Sequence, residues 1–363
     1  MINFTVGPVQ SDPEIREIGR ENVPYFRTPE FSALMKENEE WLLKLANAPA
    51  DSRVVFLTGS GSAAMECAVM NLFGPQDKLI VINGGSFGAR FAKICDIHRI
   101  PHDEIRPDFG CGVTEDDLAA FAGKGYTGLL VNAGETSTGV LYDVEMIGRF
   151  CREQGLILVV DAVSSFIADE MQMEQWGVDL VLTGSQKALA LPPGISLLMM
   201  GPRAIRRAME HETESLYFDV KDYLKNGERG QTPFTPAVAI LIQLHRRLEK
   251  IFEEGVEKER SRVRDLAVDF REKIRDLPLE ILTKCPSNAV TSLHPTGTRA
   301  DGTPVKATEI FSVLKDEYGI WICPSGGDLA DYMFRVGHIG YLTTEDNDRL
   351  IGAFCDLMRR GIL

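Results

Sequence analysis

The residues best suited to chemistry stand at the ends of apolar runs. Lys187 follows such a run in "DLVLTGSQKALALPPG" (179–194), and a lysine seldom ends a buried strand without a partner or a reaction. Crowded and desolvated, its amine sheds its proton more readily and becomes a usable nucleophile and base. Asp161 closes a second apolar run in "LILVVDAVSS", where a desolvated carboxylate calls for a charged or hydrogen-bonding partner. In "TGSGSAAME", Ser60, Gly61 and Ser62 lead into a helical stretch. Small residues there let backbone N–H groups close on an anion, which a helix N-terminus also favours. No Gly-Lys-Ser/Thr follows, so this is not a Walker phosphate loop. "NGGSFGARF" leaves Phe87 as an aromatic ring at a loop tip, and "AGETSTGV" offers the hydroxyls of Thr136, Ser137 and Thr138. Taken singly, a serine cap, a core ring or a solvated loop would account for several of these.

The elements that must position them alternate. Short β-rich runs at 53–58, 78–83, 127–132, 156–161, 178–184 and 195–200 are nearly all apolar, as in a sheet covered on both faces, and the helical stretches between them suit parallel crossovers. The fold class is α/β, and ligands of such sheets lie beyond the carboxyl ends of the strands. An anion site, a stacking ring, a buried carboxylate and an imine-forming lysine, each at a different strand end, together describe a pocket for pyridoxal 5'-phosphate. After "QTPFTP" a helical zone from about Ala237 to Asp276, broken at Gly255, carries the chain into a second unit. That unit, with strands in "LEIL", "VTSL", "IWICP" and "MFRVG", reads as α+β. The expected division is a large domain over residues 1–254 and a small one over 255–363.

Bulk properties exclude several classes. At 363 residues the chain exceeds one ordinary core. Thirty-nine basic against fifty-three acidic residues give a formal charge of -14, which disfavours nucleic acid and anionic membranes. Seven cysteines, scattered and odd in number, indicate neither a disulfide framework nor a zinc site. "MINFTVGPVQ" lacks an export signal and no apolar run reaches ~18 residues, so a cytoplasmic protein is expected.

The blocks "FTVGP", "GSGSAAME", "NGGSFGAR", "ETSTGV", "DAVSS", "GSQKAL" with a following "PPG", and "FRVGHIG", in this order, resemble the class V aminotransferases. These are fold-type I pyridoxal-phosphate enzymes, and the likeness runs closest to alanine-glyoxylate, serine-pyruvate and 2-aminoethylphosphonate-pyruvate transaminases. The resemblance implies a mostly parallel seven-stranded sheet covered by helices, plus a smaller C-terminal α+β domain. By the same likeness Lys187 would carry the cofactor as a Schiff base and shuttle the substrate proton, and Asp161 would keep the pyridine nitrogen protonated. Phe87 and Val163 would hold the two ring faces. Ser60, Gly61, Ser62 and Gln186 would bind the phosphate, with Ser137 and Thr138 near the ring oxygen and the substrate. Thr235, in "TPFTPAV", would reach the phosphate of a neighbouring subunit in a homodimer, with Thr232 where relatives often have tyrosine. Arg335 would grip the substrate's acid group, and Arg27, in "PYFRTPEF", would be a second anion contact.

The reaction expected is transfer of an amino group from a small donor, 2-aminoethylphosphonate-like or alanine or serine, to a small 2-oxo acid, pyruvate or glyoxylate. Two alternatives compete. Cysteine desulfurases usually carry histidine at the positions of Gln186 and Phe87 and a cysteine on a mobile loop, whereas Cys323 follows a β-rich run. A non-catalytic pyridoxal-binding protein would commonly have lost the lysine.

Overall fold

The computed structural model describes residues 1–363. Its main sheet has seven strands: β1 (Arg53–Thr58), β2 (Leu79–Ile82), β3 (His102–Ile105), β4 (Gly128–Asn132), β5 (Ile157–Asp161), β6 (Leu180–Gly184) and β7 (Ile195–Met200). They lie in the order β1-β7-β6-β5-β4-β2-β3. Pairings among β2 to β6 are parallel, and β7 runs antiparallel to both β1 and β6. Why the strands read as continuous apolar runs is visible in β4, where Leu129 and Val131 enter one core cluster and Leu130 enters another. Successive side chains point to opposite faces, and here both faces are covered. The strand missed by the sequence reading, β3, is "HDEI" at the sheet's edge, and its polar residues are what an unpaired edge tolerates.

The helices that concern the site are α1 (Pro29–Leu45), α2 (Gly61–Leu72), α3 (Ser86–Ile97) and α4 (Val144–Gln154). The helical zone forms as two pieces, α5 (Val238–Glu254) and α6 (Val256–Lys273), parted at Gly255 with φ 100°. A second, antiparallel sheet follows, built from β8 (Leu279–Ile281), β9 (Val290–Pro295), β10 (Cys323–Pro324) and β11 (Phe334–Gly337) in the order β8-β9-β11-β10. A third core cluster lies under it. The chain's start joins that cluster: Ile2 and Asn3 pair in parallel with Ile320 and Trp321, and Phe4 is fully buried there. The first four residues therefore pack against the C-terminal unit, where the apolar Phe4 ring finds its cover.

Candidate active site

The strand order reverses between β4 and β2, and at such a switch point the strand ends leave a crevice. Asp161, the last residue of β5, stands opposite Asn132, the last of β4. Its carboxylate accepts from Asn132 Nδ2 at 2.7 Å and from the Val163 N–H at 2.8 Å. Burial pushes the Asp161 carboxyl up, while the Val163 N–H, the Lys187 charge and the Asn132 amide pull the other way. Asn132 is itself 2% exposed, and its Oδ1 has no partner within the chain.

Lys187 sits in the turn after β6. Its Nζ lies 3.4 Å from Thr136 Oγ1 and 4.5 Å from the centroid of the Phe87 ring. Burial lowers the ammonium's pKa; Asp161 and Glu135 raise it, and Arg335 and Arg90 lower it further. The N-terminal segment crosses this turn. Val9 N–H donates to the Gln186 carbonyl at 3.0 Å, and Gly7, with φ 124°, approaches so closely that a Cβ there would lie 2.7 Å from Lys187 Cγ. Only glycine suits that backbone and that gap.

At the head of α2, Ser60 makes no side-chain cap bond and the first turn carries no acidic residue. The first N–H groups of a helix have no partner within it, so this end is open to an anion. Arg90, one turn into α3, donates to Ser62 Oγ at 3.0 Å and lies 4.8 Å over the Phe87 ring. Val163 packs against the glycine at the helix head, since a Cβ on Gly61 would come within 2.9 Å of Val163 Cγ2.

The structure brings Ser60, Gly61, Ser62, Phe87, Asp161, Val163, Gln186 and Lys187 to the wall of one cavity. Asn132, Thr136 and Arg90 line it as well. Of the hydroxyl-dense turn, Thr136 faces Lys187. Ser137 and Thr138, expected near the cofactor, turn instead to Glu135: Ser137 Oγ donates to Glu135 Oε1 at 2.5 Å, and Thr138 Oγ1 to the Glu135 carbonyl at 3.4 Å. Arg335, on β11, donates to the carbonyls of Thr136 at 3.2 Å and Pro324 at 2.8 Å, and its buried Nε has no partner. Arg27 stands apart. It bonds Gln231 Oε1 and the carbonyls of Thr232 and Pro233 and lies 4.7 Å over Phe26, so in this chain it braces a loop rather than lining the cavity. That loop carries Thr232, whose hydroxyl donates to the Phe234 carbonyl at 2.7 Å, and Thr235, which is exposed. Neither threonine lines this chain's cavity.

These residues fit pyridoxal 5'-phosphate on their own chemistry. A desolvated amine, a buried carboxylate, the aromatic Phe87, the apolar Val163 and a helix head open to an anion line one cavity, where the side-chain amides of Asn132 and Gln186 each keep an unpartnered atom. Sequence reasoning passed over Asn132, although a polar residue closing an all-apolar strand is the signal that singled out Asp161.

Residues 24–335 match the family described as aminotransferase class-V. The serine–glyoxylate aminotransferase of Arabidopsis thaliana is 30% identical over 348 residues, covering 93% of this chain and 85% of that protein. A protein of Synechococcus sp. named soluble hydrogenase, small subunit, is 31% identical over 330 residues, covering 88% of this chain and 83% of that one. Among solved structures, an alanine–glyoxylate aminotransferase from Nostoc sp. superposes with a TM-score of 0.91 at 26% identity, over 99% of this chain and 95% of that chain. A match over that span, on a fold that brings a lysine and an aspartate from the ends of adjacent strands to one cavity, makes this chain a member of the class-V aminotransferase family, the pyridoxal-phosphate-dependent transaminases.

Proposed function

We propose that the protein transfers an amino group from a small amino donor, alanine, serine or a 2-aminoethylphosphonate-like amine, to a small 2-oxo acid, glyoxylate or pyruvate. The observation that carries this reading is the presence in one cavity of Lys187, whose amine burial makes easier to deprotonate, and Asp161, held by two donors. Bound there, pyridoxal phosphate supplies an aldehyde that bonds to amines and a ring that withdraws electrons from the neighbouring carbon. The chain's residues do the rest. Lys187 would hold the aldehyde through Nζ and would carry the substrate proton, with Thr136 Oγ1 at hand to orient it. Asp161 would hold a proton on the ring nitrogen, and Phe87 and Val163 would fix the ring plane. Ser60, Gly61, Ser62 and Gln186 would hold the phosphate. Arg335 offers its planar fork to the substrate's acid group.

Names of relatives favour the acceptor class: besides serine–glyoxylate aminotransferase, an L-aspartate–glyoxylate aminotransferase of Paracoccus denitrificans is 27% identical over 350 residues. The desulfurase alternative draws less support, since Cys323 lies in β10 opposite Arg335 on β11 rather than on a free loop. The hydrogenase name borne by two relatives draws none from the cavity, whose lysine and aspartate suit imine chemistry, and all seven cysteines are free and dispersed. No helix is long and apolar enough to cross a membrane. The net charge of -14 favours small molecules over nucleic acid as partners. We further infer a large domain over 1–254, a small one over 255–363, and a homodimer in which Thr235, with Thr232 behind it, meets the partner's phosphate.

The test is a panel of amino donors scored by loss of the visible cofactor band, then of oxo acids scored by its return. Lys187→Ala should abolish both steps while still capturing the cofactor without a covalent bond. Borohydride treatment of the loaded wild type should label Lys187. A label elsewhere, or turnover by the alanine variant, defeats this reading.

A further inference from the structure

We propose that Glu135 is a positioning residue of the active site, a buried carboxylate that caps the helix bearing Phe87 from outside and so fixes the ring against which the cofactor stacks. This rests on the pyridoxal-phosphate reading of the cavity and adds to it a residue that touches neither cofactor nor substrate.

Helix α3 begins without means of its own to satisfy its first amides. Its N-cap is Gly85, which has no side chain, and its first turn holds no acidic residue. The missing acceptors come from 47 to 51 residues further along the chain. Glu135 Oε2 accepts from the Gly88 N–H at 2.9 Å and the Phe87 N–H at 3.2 Å, and Ser137 Oγ accepts from the Ser86 N–H at 2.9 Å. The first three amides of α3 are thus met by one carboxylate and one hydroxyl, which are joined to each other at 2.5 Å. One glycine makes room for them: a Cβ on Gly85 would lie 2.3 Å from Ser137 Oγ and 2.7 Å from Glu135 Cδ.

A carboxylate that is 1% exposed is costly to bury without compensation. Here it accepts from two helix amides, the Ser137 N–H and the Ser137 hydroxyl, and it sits at the positive end of a helix. The amides it holds include that of Phe87 itself, whose ring carries Lys187 Nζ at 4.5 Å and the Arg90 guanidinium at 4.8 Å. Holding the Phe87 backbone fixes where the ring stands relative to the lysine. Glu135 also joins Asp161 in opposing the charges of Arg90 and Arg335 that act on Lys187.

The experiment compares holoenzymes carrying Glu135→Ala, Glu135→Gln, Phe87→Ala, the Glu135→Ala/Phe87→Ala pair, and Asp143→Ala, which removes the ordinary cap of α4 (Asp143 Oδ1 to Met146 N–H, 2.9 Å) away from the site. Cofactor dissociation constant, visible circular dichroism and melting temperature are read for each. Glu135→Ala should weaken cofactor binding about tenfold and flatten the visible dichroism, and Asp143→Ala should lower the melting temperature with cofactor binding unchanged. The double variant should bind no worse than Phe87→Ala, because both changes remove the same ring contact. Glu135→Gln, which keeps one acceptor oxygen and loses the charge, should fall between wild type and alanine and covers the case in which alanine does not fold. Additive losses in the double variant, or wild-type cofactor affinity in Glu135→Gln, overturn the proposal. Failure of every amino donor with the unaltered protein would defeat the transaminase reading instead, leaving the cofactor-affinity comparison intact.

Discussion

Asn132 and Asp161 close adjacent parallel strands in register, and the amide of the first donates to the carboxylate of the second at 2.7 Å. A hydrogen bond to an ionised group is worth about 1.5 kcal/mol or more. Asn132→Leu removes that donor and leaves Asp161 more strongly desolvated, so its carboxyl rises further. Cofactor affinity, measured by release from the holoenzyme, should weaken about tenfold, and more as the pH is lowered. Unchanged affinity across pH would show that the amide does not tune Asp161.

Arg335 reaches the Thr136 carbonyl from the second sheet and so ties the two units together at the cavity. Lysine in its place keeps the charge but not the two-pronged donor. Arg335→Lys should raise KM for carboxylate acceptors about tenfold with a smaller change in kcat. Equal KM values for every acid substrate would remove Arg335 from the binding site.

Gly7 lies over the stem of Lys187 with a backbone that L-residues avoid. Gly7→Ala forces either the strained backbone, at roughly 1–2 kcal/mol, or a shift of the lysine. Both stability to urea and kcat should fall. A fully active and equally stable variant would mean that the N-terminal segment does not position the lysine.

Glu259, which does not line the cavity, is set between arginines, with Arg247 Nη2 at 2.5 Å and Arg262 Nη2 at 2.8 Å. Burial by itself would raise its carboxyl, but the hydrogen bond from Arg262 and the charge of Arg247 overcome this and hold it at about 2, below the ordinary 4.5. A folded-state pKa below the unfolded one stabilises the fold above pH 4.5, and the contribution fades as pH falls towards 2. Glu259→Gln should therefore cost about 3 kcal/mol at neutral pH, by urea unfolding, with the gap to wild type narrowing below pH 4.5. A gap that is constant with pH would contradict the assignment.

Much of the molecule was legible before folding because its signals are local. Apolar runs of both-face strands, the glycine break at Gly255, and charged residues ending apolar stretches are each contained in a few neighbouring residues. The edge strand at His102–Ile105 escaped because an edge need not be apolar. Arg27 looked like an anion contact because its charge is visible in the sequence and its carbonyl partners, more than 200 residues away, are not.

The amino-acid sequence by itself determined the class of fold, the lysine and aspartate at the strand ends, and the family, since all of these follow from residue type and order. Only the tertiary structure decided which of three consecutive hydroxyls faces Lys187, that Asn132 braces Asp161, and that Glu135 serves a helix whose first turn lies some fifty residues earlier. Hydrogen bonds act over about 3 Å, and proximity on that scale between distant parts of a chain is created by packing.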